Sequence, residues 1–563
     1  MVLRIGLDRI VRAGLLLAVL ASQGAGLAAQ AGTPGEPTGQ VRHVIIVGVD
    51  GMSPDGVRKA DTPHMHALMA GGSWTLHARG VLPTSSAANW ASMLTGAGPE
   101  QHGVTDNKWG ATQFKFPTMV TGSGGFFPSI FQLIAEQRPR WHAGSIHEWD
   151  GFGALYDHRF VDYDAHGKDA DETAELAVEY IQRRKPEFLI VHLDLVDDAG
   201  HTHGHGTPGY YSAVAKADEL LGRIQQAIGK AGIAHDSVLL VTSDHGGVGK
   251  GHGGESLAEL EIPWIASGVS IRRNNQLAIP VNTFDTPATV AHLLGLEIPY
   301  AWIGRPVTAA IQGQKVPRQA YPLSSTAQPP TILPENNGGQ SPSGGLFTTP
   351  TVTVTIENPN KGGEVRYTTD GSFPSAGSTR YAGPFDIDAS AIVRAMVFVD
   401  GKAASTVSDG NFRLLRDPAL HGVRYSLYLL PPPLARLPDF SRLTPASTGL
   451  APELSLNGLP LPREDGIAIA FEGRLQLPTS GTWSFKTASD DGSKLYIDGK
   501  LVVENDGTHG IIEATGSVEV AAGEHDIRVE YFNDGGGSWL GAWFEGPQVP
   551  RQYIDPNWLT PPR

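Results

Sequence analysis

Three short apolar runs, spread over about two hundred residues, each lead into an acidic side chain, and this pattern restricts the fold more than any other feature of the chain. His43-Val44-Ile45-Ile46-Val47-Gly48-Val49 runs into Asp50 and Gly51. Phe188-Leu189-Ile190-Val191-His192-Leu193-Asp194-Leu195-Val196 delivers Asp197 and, four residues on, His201. Ser237-Val238-Leu239-Leu240-Val241-Thr242-Ser243 delivers Asp244 and His245, with His252 in the next glycine turn. Runs of this length and apolarity read as strands buried on both faces. An open α/β sheet gathers its working groups at the ends of such strands.

The surrounding sequence keeps that rhythm from about residue 41 to 315, so a mostly parallel sheet sandwiched by helices is expected there. Thr62-Pro63 caps a helix that begins with His64 and Met65. Tyr211, Val214, Leu221, Ile224 and Ile228 recur at helical spacing just before the third run. Ile262-Pro263-Trp264-Ile265-Ala266 reads as a further strand, and Thr286-Pro287 opens a helix through Leu294. Residues 316–348 have linker composition, including Gln328-Pro329-Pro330 and Asn336-Asn337-Gly338-Gly339. Beyond them the helical periodicity gives way to short alternating strands with Asp-Gly turns, as expected for two all-β sandwiches over 349–415 and 418–560. A chain of 563 residues needs two to four such domains.

The first 31 residues read as an export signal: Arg4, Arg9 and Arg12 precede an apolar core from Ala13 to Leu20, and Ala29-Gln30-Ala31 offers a small-residue cleavage site. The apolar core is short for an uncleaved anchor and fades into Ser, Gln and Gly. With no cysteine, the chain cannot rest on disulfides. A bacterial periplasmic or secreted protein is the expectation. The net charge of -15 argues against a nucleic-acid backbone or an anionic membrane as principal partner.

Asp, His and a hydroxyl are the donors zinc accepts where no thiolate is on offer. Asp197, His201 and His252 form one candidate set; Asp50, Asp244, His245 and Ser86 form a second. Magnesium would suit carboxylates and water better than three histidines. A single Asp-His pair after a strand is more often a structural hydrogen bond, so the weight lies in several independent strand ends agreeing. His203 and His205 read as a solvated loop. Thr84, Ser85 and Ser86 precede a helical stretch; they are either N-caps or a nucleophile at a helix N-terminus, and the local sequence leaves that choice open.

With these residues in view, the stretch from Val47 to about Ala310 resembles the alkaline phosphatase superfamily, nearest to its type I phosphodiesterase and nucleotide pyrophosphatase branch. The resemblance rests on Asp50-Gly51, the Pro83-Thr84-x-Ser86-x-x-Asn89 element, Leu94-Thr95-Gly96, and Pro99-Glu100-x-His102-Gly103. It continues through Asp197-x-x-Gly200-His201, Ser243-Asp244-His245-Gly246 and Gly251-His252-Gly253. It implies Ser86 as nucleophile, where the family usually has Thr, and Asn107 as the contact to the phosphoryl oxygen. It also implies two zinc ions and in-line attack giving a phosphoseryl intermediate. A sulfatase is disfavoured, since Ser86 is followed by Ala-Ala-Asn rather than by the Pro and Arg that formylglycine conversion needs.

Two further resemblances cover the C-terminal half. Tyr367-Thr368-Thr369-Asp370-Gly371-Ser372-x-Pro374, Tyr381-x-Gly383-Pro384-Phe385 and Val393-Arg394-Ala395 resemble the C-terminal β-sandwich of chitobiase and hexosaminidase enzymes. Phe471-Glu472-Gly473, Ser489-Asp490-Asp491-Gly492-Ser493, Leu495-Tyr496-Ile497-Asp498-Gly499 and Ala542-Trp543 resemble the PA14 sandwich. By that resemblance the Asp490-Asp491 pair implies calcium and sugar binding; its plainer reading is a turn.

The expected activity is hydrolysis of phosphodiesters or nucleotide pyrophosphates by an exported two-zinc enzyme, its partners being a small phosphorylated substrate and, through the C-terminal regions, carbohydrate or cell wall. The same-site alternative is a phosphomonoesterase; the alternative of another class is a carbohydrate-binding surface protein with a vestigial catalytic domain. No basic pair suited to a monoester is evident between Asn107 and Asp197, with Arg183, Arg184 and Lys185 closing a helix away from the site. Trp90, Trp109, Phe114, Phe116, Phe126 and Phe127 lie near the nucleophile in sequence and could wall a substituent, core packing being the commoner fate. As no candidate ligand lies beyond His252, a chain ending near Ser324 is expected to retain the chemistry.

Overall fold

The computed structural model describes residues 41–318, 323, 327–336 and 343–563. The expected export signal therefore lies outside the described residues, as does part of the expected linker. Among the described residues no helix is long and apolar enough to cross a membrane.

The N-terminal region is built on an eight-stranded sheet. Its strands are β1 (His43–Val49), β2 (Ser73–Arg79), β3 (Ala143–His147), β4 (Tyr163–His166), β5 (Phe188–Leu193), β6 (Ser237–Thr242), β7 (Glu261–Gly268) and β8 (Asn275–Gln276), in the order β4-β3-β5-β1-β6-β7-β2-β8. The run from β4 to β6 is parallel throughout, and β7 lies antiparallel to both its neighbours. This is the mixed α/β sheet with helices that the apolar runs announce.

Every residue of β1, β5 and β6 is buried, because helices cover both faces. Alternation along β1 sends Val44 and Ile46 into one core with Trp90, Phe131 and Phe188. Ile45, Val47 and Val49 enter the other, beneath the helices Ala170–Arg184 and Pro208–Lys230. Gly48 breaks the apolar run for a steric reason: a Cβ there would lie 2.4 Å from the Trp90 ring. The three carboxylate-bearing runs are adjacent, in the order β5-β1-β6, with Val49 level with Leu193 and Gly48 level with Thr242. The parallel register thus brings Asp50, Asp194 and Ser243 to one edge.

The C-terminal half consists of several largely antiparallel sheets. Residues 331–336 and 343–414 form two small sheets around Val354, Val393, Val397 and Phe412. Two of their strands, Thr331–Leu333 and Ser343–Phe347, fall inside the span that reads as linker from its composition. The positive φ of Gly344 and Gly345 explains how strand and linker composition coexist there. Residues 423–560 pack a seven-stranded against a four-stranded sheet around Trp483, Phe471 and Tyr531. A buried Arg413–Glu453 ion pair at 2.6 Å ties the two β regions together.

The Gly48–Trp90 contact yields a prediction. Gly48→Ala is expected to overpack the strand against the indole and to lower the urea stability of the N-terminal region by about 1–3 kcal/mol; an unchanged unfolding midpoint would show that the ring can yield.

Candidate functional site

Asp50 follows β1 with its side chain held from one side. Its Oδ2 accepts the Trp90 indole N–H at 2.7 Å and lies 3.0 Å from His192 Nε2, while its Oδ1 is buried with no hydrogen-bond partner. Asp244 repeats the arrangement: Oδ1 accepts the Gly51 N–H at 3.2 Å, and Oδ2 is buried without a partner. Asp197 also has a buried, unpartnered oxygen, Oδ1. Three carboxylates, all buried, thus each present an unsatisfied acceptor to one small volume.

The histidines face the same volume through their lone pairs. His245, His201 and His252 direct Nδ1 at the carbonyls of Gly246 (2.8 Å), Lys250 (2.9 Å) and Thr84 (2.9 Å). A carbonyl can only accept, so each Nδ1 carries the proton, and in the neutral ring Nε2 is the free acceptor. These Nε2 atoms point at carboxylates: His245 lies 3.3 Å from Asp50 Oδ1 and 3.2 Å from Asp244 Oδ2, while His201 and His252 lie 3.2 and 3.6 Å from Asp197 Oδ2. Burial pushes His245 down to about 4, so this ring is neutral at physiological pH. Its lone pair then faces two carboxylate oxygens, an arrangement that is favourable only with a proton on one of them, as the raised Asp244 carboxyl supplies, or with a cation in the gap.

The electrostatics agree. Burial, together with the charges of Asp50 and Asp197, pushes the Asp244 carboxyl well above its ordinary range. Burial opposes ionisation of Asp197, but His252 and His201 outweigh it and hold the carboxyl well below its usual range. In turn Asp197 carries His201 up to about 9 against the effect of burial. Burial opposes the charged form of His252 as well, but Asp197 outweighs it and raises this ring too. The donor set, three carboxylates and three Nε2 atoms each braced from behind, fits a cation pair.

Asp50, Asp244 and His245 lie close enough for one ion, as do Asp197, His245 and His252 and also Asp50, His192 and Asp194; His201 falls in none of these groupings, although its Nε2 lies 3.2 Å from Asp197 Oδ2. His245 thus stands between the two sets, its ring stacked on His252 with centroids 3.7 Å apart.

Ser86 opens the helix Ser86–Thr95 and places Oγ 3.2 Å from His245 Nε2. The hydroxyls that local sequence could not rank have separate fates. Thr84 Oγ1 donates to the Gly254 carbonyl at 2.6 Å and accepts the Gly253 N–H at 3.1 Å, bracing the turn that carries His252. Ser85 is the N-cap residue of the helix, with a buried Oγ that has no partner. Asn89 fixes the approach: its side chain hydrogen-bonds Val81, Pro83 and Ser85 backbone groups. Asn107 Oδ1 accepts the Ala87 N–H at 3.0 Å, which leaves its amide NH2 to the cleft.

Four features escape sequence reading. His192 is completely buried and bonded to Asp50; a histidine inside an apolar strand run is a signal that it needs a partner. Trp90, taken as a candidate substrate wall, is instead a buried donor to Asp50. His205 is no solvated loop residue: both ring nitrogens are buried and unpartnered, and burial pushes the ring down to about 3. His203 is exposed as expected, but it is the last residue of the helix Leu195–His203 rather than part of a loop. Finally, Lys108 and Lys115 line the cleft, so a basic pair does exist near Asn107. Lys108 Nζ donates to the Thr508 carbonyl at 2.7 Å, and Lys115 pairs with Asp106 at 2.8 Å.

Of the remaining aromatics, Trp109 and Phe114 line the cleft, whereas Phe127 is buried in the core. Asp491 of the Asp490-Asp491 pair accepts the His509 and Asp534 backbone N–H groups at 2.8 and 2.9 Å. Both its oxygens are thereby engaged in holding turns, and the groupings able to hold a cation among the described residues all lie in the N-terminal α/β region.

Residues 44–250 match the family model of type I phosphodiesterase / nucleotide pyrophosphatase. Residues 342–409 match that of the chitobiase/beta-hexosaminidase C-terminal domain, and residues 459–555 that of the PA14 domain. Human ectonucleotide pyrophosphatase/phosphodiesterase family member 5 is 25% identical over 214 residues, 36% of this chain and 45% of that protein. Member 1 from Mus musculus is 28% identical over 197 residues, 33% of this chain and 21% of that protein. The solved structure of human member 5 superposes with a TM-score of 0.42 at 17% identity, covering 48% of this chain and 100% of that one. The chain thus spans less than half the length of these curated relatives. The branch recognised from the motifs and the branch of the matching family model are the same.

The anchoring of Asp50 can be tested directly. Trp90→Phe keeps an aromatic ring, although a smaller one, and removes the N–H; it is expected to weaken retention of a divalent cation about 10–100-fold in a chelator competition, and undiminished retention would mean that His192 alone orients Asp50.

Proposed function

We propose that this chain is an exported, metal-dependent hydrolase of phosphoric diesters or nucleotide pyrophosphates that acts through Ser86. The observation that carries the reading is the convergence of three unpartnered carboxylate oxygens and three Nε2 lone pairs around a hydroxyl at a helix N-terminus. The matches to phosphodiesterases and nucleotide pyrophosphatases support the same class. Two zinc ions are the proposed occupants, because the histidines suit zinc better than magnesium. Asp197, His201 and His252 would hold one; Asp50, Asp244 and His245, with the Ser86 oxygen, would hold the other. Bound there, the ions would polarise the phosphoryl group and favour the ionised hydroxyl.

The side chains define the rest of the reaction. Ser86 Oγ attacks phosphorus, the alcohol or phosphate leaves, and water then displaces Ser86 from the phosphoseryl intermediate. The N-terminus of the helix Ser86–Thr95 and the Asn107 amide face the charge that builds on the phosphoryl oxygens. Thr84 and Asn89 keep the Ser86 turn in register with the His252 turn. Export is proposed from the basic and apolar opening of the sequence, and carbohydrate or cell-wall binding from the chitobiase-type match.

Ser86→Ala is expected to abolish turnover while close to two zinc ions per chain remain by elemental analysis. Ser85→Ala should keep most activity. Thr84→Ala, which loosens the His252 turn, should lower both activity and zinc retention without abolishing either. Full activity with one metal per chain or fewer would sink the two-zinc reading.

The ester class follows from the engaged lysines. Lys115 is matched by Asp106, and Lys108, though still charged, is held at the Thr508 carbonyl, so this pair offers the second charge of a monoester at most one cation. Catalytic efficiency toward an aryl phosphodiester is expected to exceed that toward the matching monoester by at least about tenfold, roughly 1.4 kcal/mol; a monoester preference on the same zinc-loaded preparation would overturn the assignment.

A further inference from the structure

The cleft beside Ser85, Asn107 and His252 is not walled by the N-terminal α/β region alone. A cavity of about 740 Å³ is lined on one side by Asn107, Phe114, His201 and His252, and on the other by Ile511 and Ile512 of the PA14-type region. The segment 507–512 that carries these isoleucines, a loop whose last residue opens the strand Ile512–Val520, is seated on the N-terminal α/β region by two contacts. Lys108 Nζ donates to the Thr508 carbonyl at 2.7 Å. Gly251, beside His252, lies so close to the Ile511 side chain that a Cβ there would come within 2.9 Å of it.

The loop is also held from within. Asp491 Oδ1 accepts the His509 N–H at 2.8 Å, and Asn505 Nδ2 donates to the Ile512 carbonyl at 2.9 Å. The candidate ligands all precede the linker, yet the lining of the cleft includes residues beyond it. Phe114 and Ile512 are half exposed, at 50% and 49%, although both are large and apolar. They border one cavity from two regions of the chain, and that cavity is continuous with His201 and His252.

We propose that the loop 507–512 is a specificity wall of the catalytic cleft. It receives, against Ile511 and Ile512 and opposite Phe114, the bulky apolar or planar substituent of a phosphodiester whose phosphorus sits at Ser86. The proposal rests on the hydrolase reading and adds a substrate class to it: diesters whose second substituent is large and largely uncharged. Apolar walls stabilise such a group by removing its surface from water, and they offer little to a single methyl. The Asp490-Asp491 turn then serves to position the wall.

Two diesters that share a 4-nitrophenolate leaving group decide the matter. One is bis(4-nitrophenyl) phosphate, whose second substituent is a ring; the other is methyl 4-nitrophenyl phosphate, whose second substituent is one carbon. In the full chain, Ile511→Ala combined with Ile512→Ala is expected to lower kcat/KM about tenfold for the first and less than about twofold for the second. Ile512→Ala alone, at its half-exposed site, should shift the ratio in the same direction. Equal losses on both esters, or no loss on either, would overturn the proposal.

Amide hydrogen exchange gives a readout that does not need turnover. In the full-length Ser86→Ala protein, bis(4-nitrophenyl) phosphate is expected to protect residues 507–512 together with 105–116. Protection confined to the catalytic region, or none, would remove the wall even from an active hydrolase. Were the parent protein to hydrolyse neither ester, the hydrolase reading would fall, and exchange at 507–512 would still decide whether the loop binds the ring.

Discussion

Mutual repulsion among Asp50, Asp197 and Asp244 is the constraint on which the rest of the catalytic region depends. Three carboxylates buried this deeply cannot all ionise in one volume without compensating positive charge. The chain supplies part of the compensation through His192 and Trp90 behind Asp50, the Gly51 amide on Asp244, and His201 and His252 on Asp197. Each carboxylate still keeps an oxygen that no donor reaches. The parallel register of β5, β1 and β6 concentrates this deficit at one edge of the sheet, so the tightest packing of the domain and its largest electrostatic strain share the same strands.

That coupling explains why Gly48 and Trp90 belong together. Indole packing against the strand requires a residue without a side chain, and the payment appears at the other end of the ring, where Nε1 satisfies Asp50 Oδ2. The core and the site are thus not separate inventories. A change that relaxes the packing of the ring also releases the carboxylate it orients.

The strand ends were legible in the sequence because buried strands and ligating side chains obey local rules: an apolar run, then Asp or His, then glycine. Spacing alone grouped Asp50 with Asp244 and His245, and Asp197 with His201 and His252. It did not show that His245 lies between the sets, because that depends on the stacking of rings seven residues apart across a glycine turn. The choice among Thr84, Ser85 and Ser86 needed the family resemblance, since all three suit a helix start and only the packing separates a brace from a cap from a hydroxyl facing His245. His205 was misread because polar loop composition does not report that Gly200 and Gly247 let the ring press inward. The lysines were missed because their sequence neighbourhood looks like an ordinary surface. Contact between Lys108 and Thr508, four hundred positions apart, leaves no local trace at all.

The distribution of roles across the molecule follows from how rigidly each element is held. Asp50, Asp197, Asp244 and His245 sit on or next to strands whose neighbours fix them on both faces, which suits groups that must keep their separation to fractions of an ångström. The cleft wall has a different requirement, shape and apolarity, and a loop meets it provided that something stops the loop from drifting. Here the loop is pinned twice, by Asp491 and Asn505 within its own sandwich and by Lys108 across the interface. Gly251 completes the fit, because the absence of a side chain beside His252 is what allows Ile511 to approach the cation-binding turn. The PA14-type region is thereby placed in the wall of the cleft that Asn107, His201 and His252 also line.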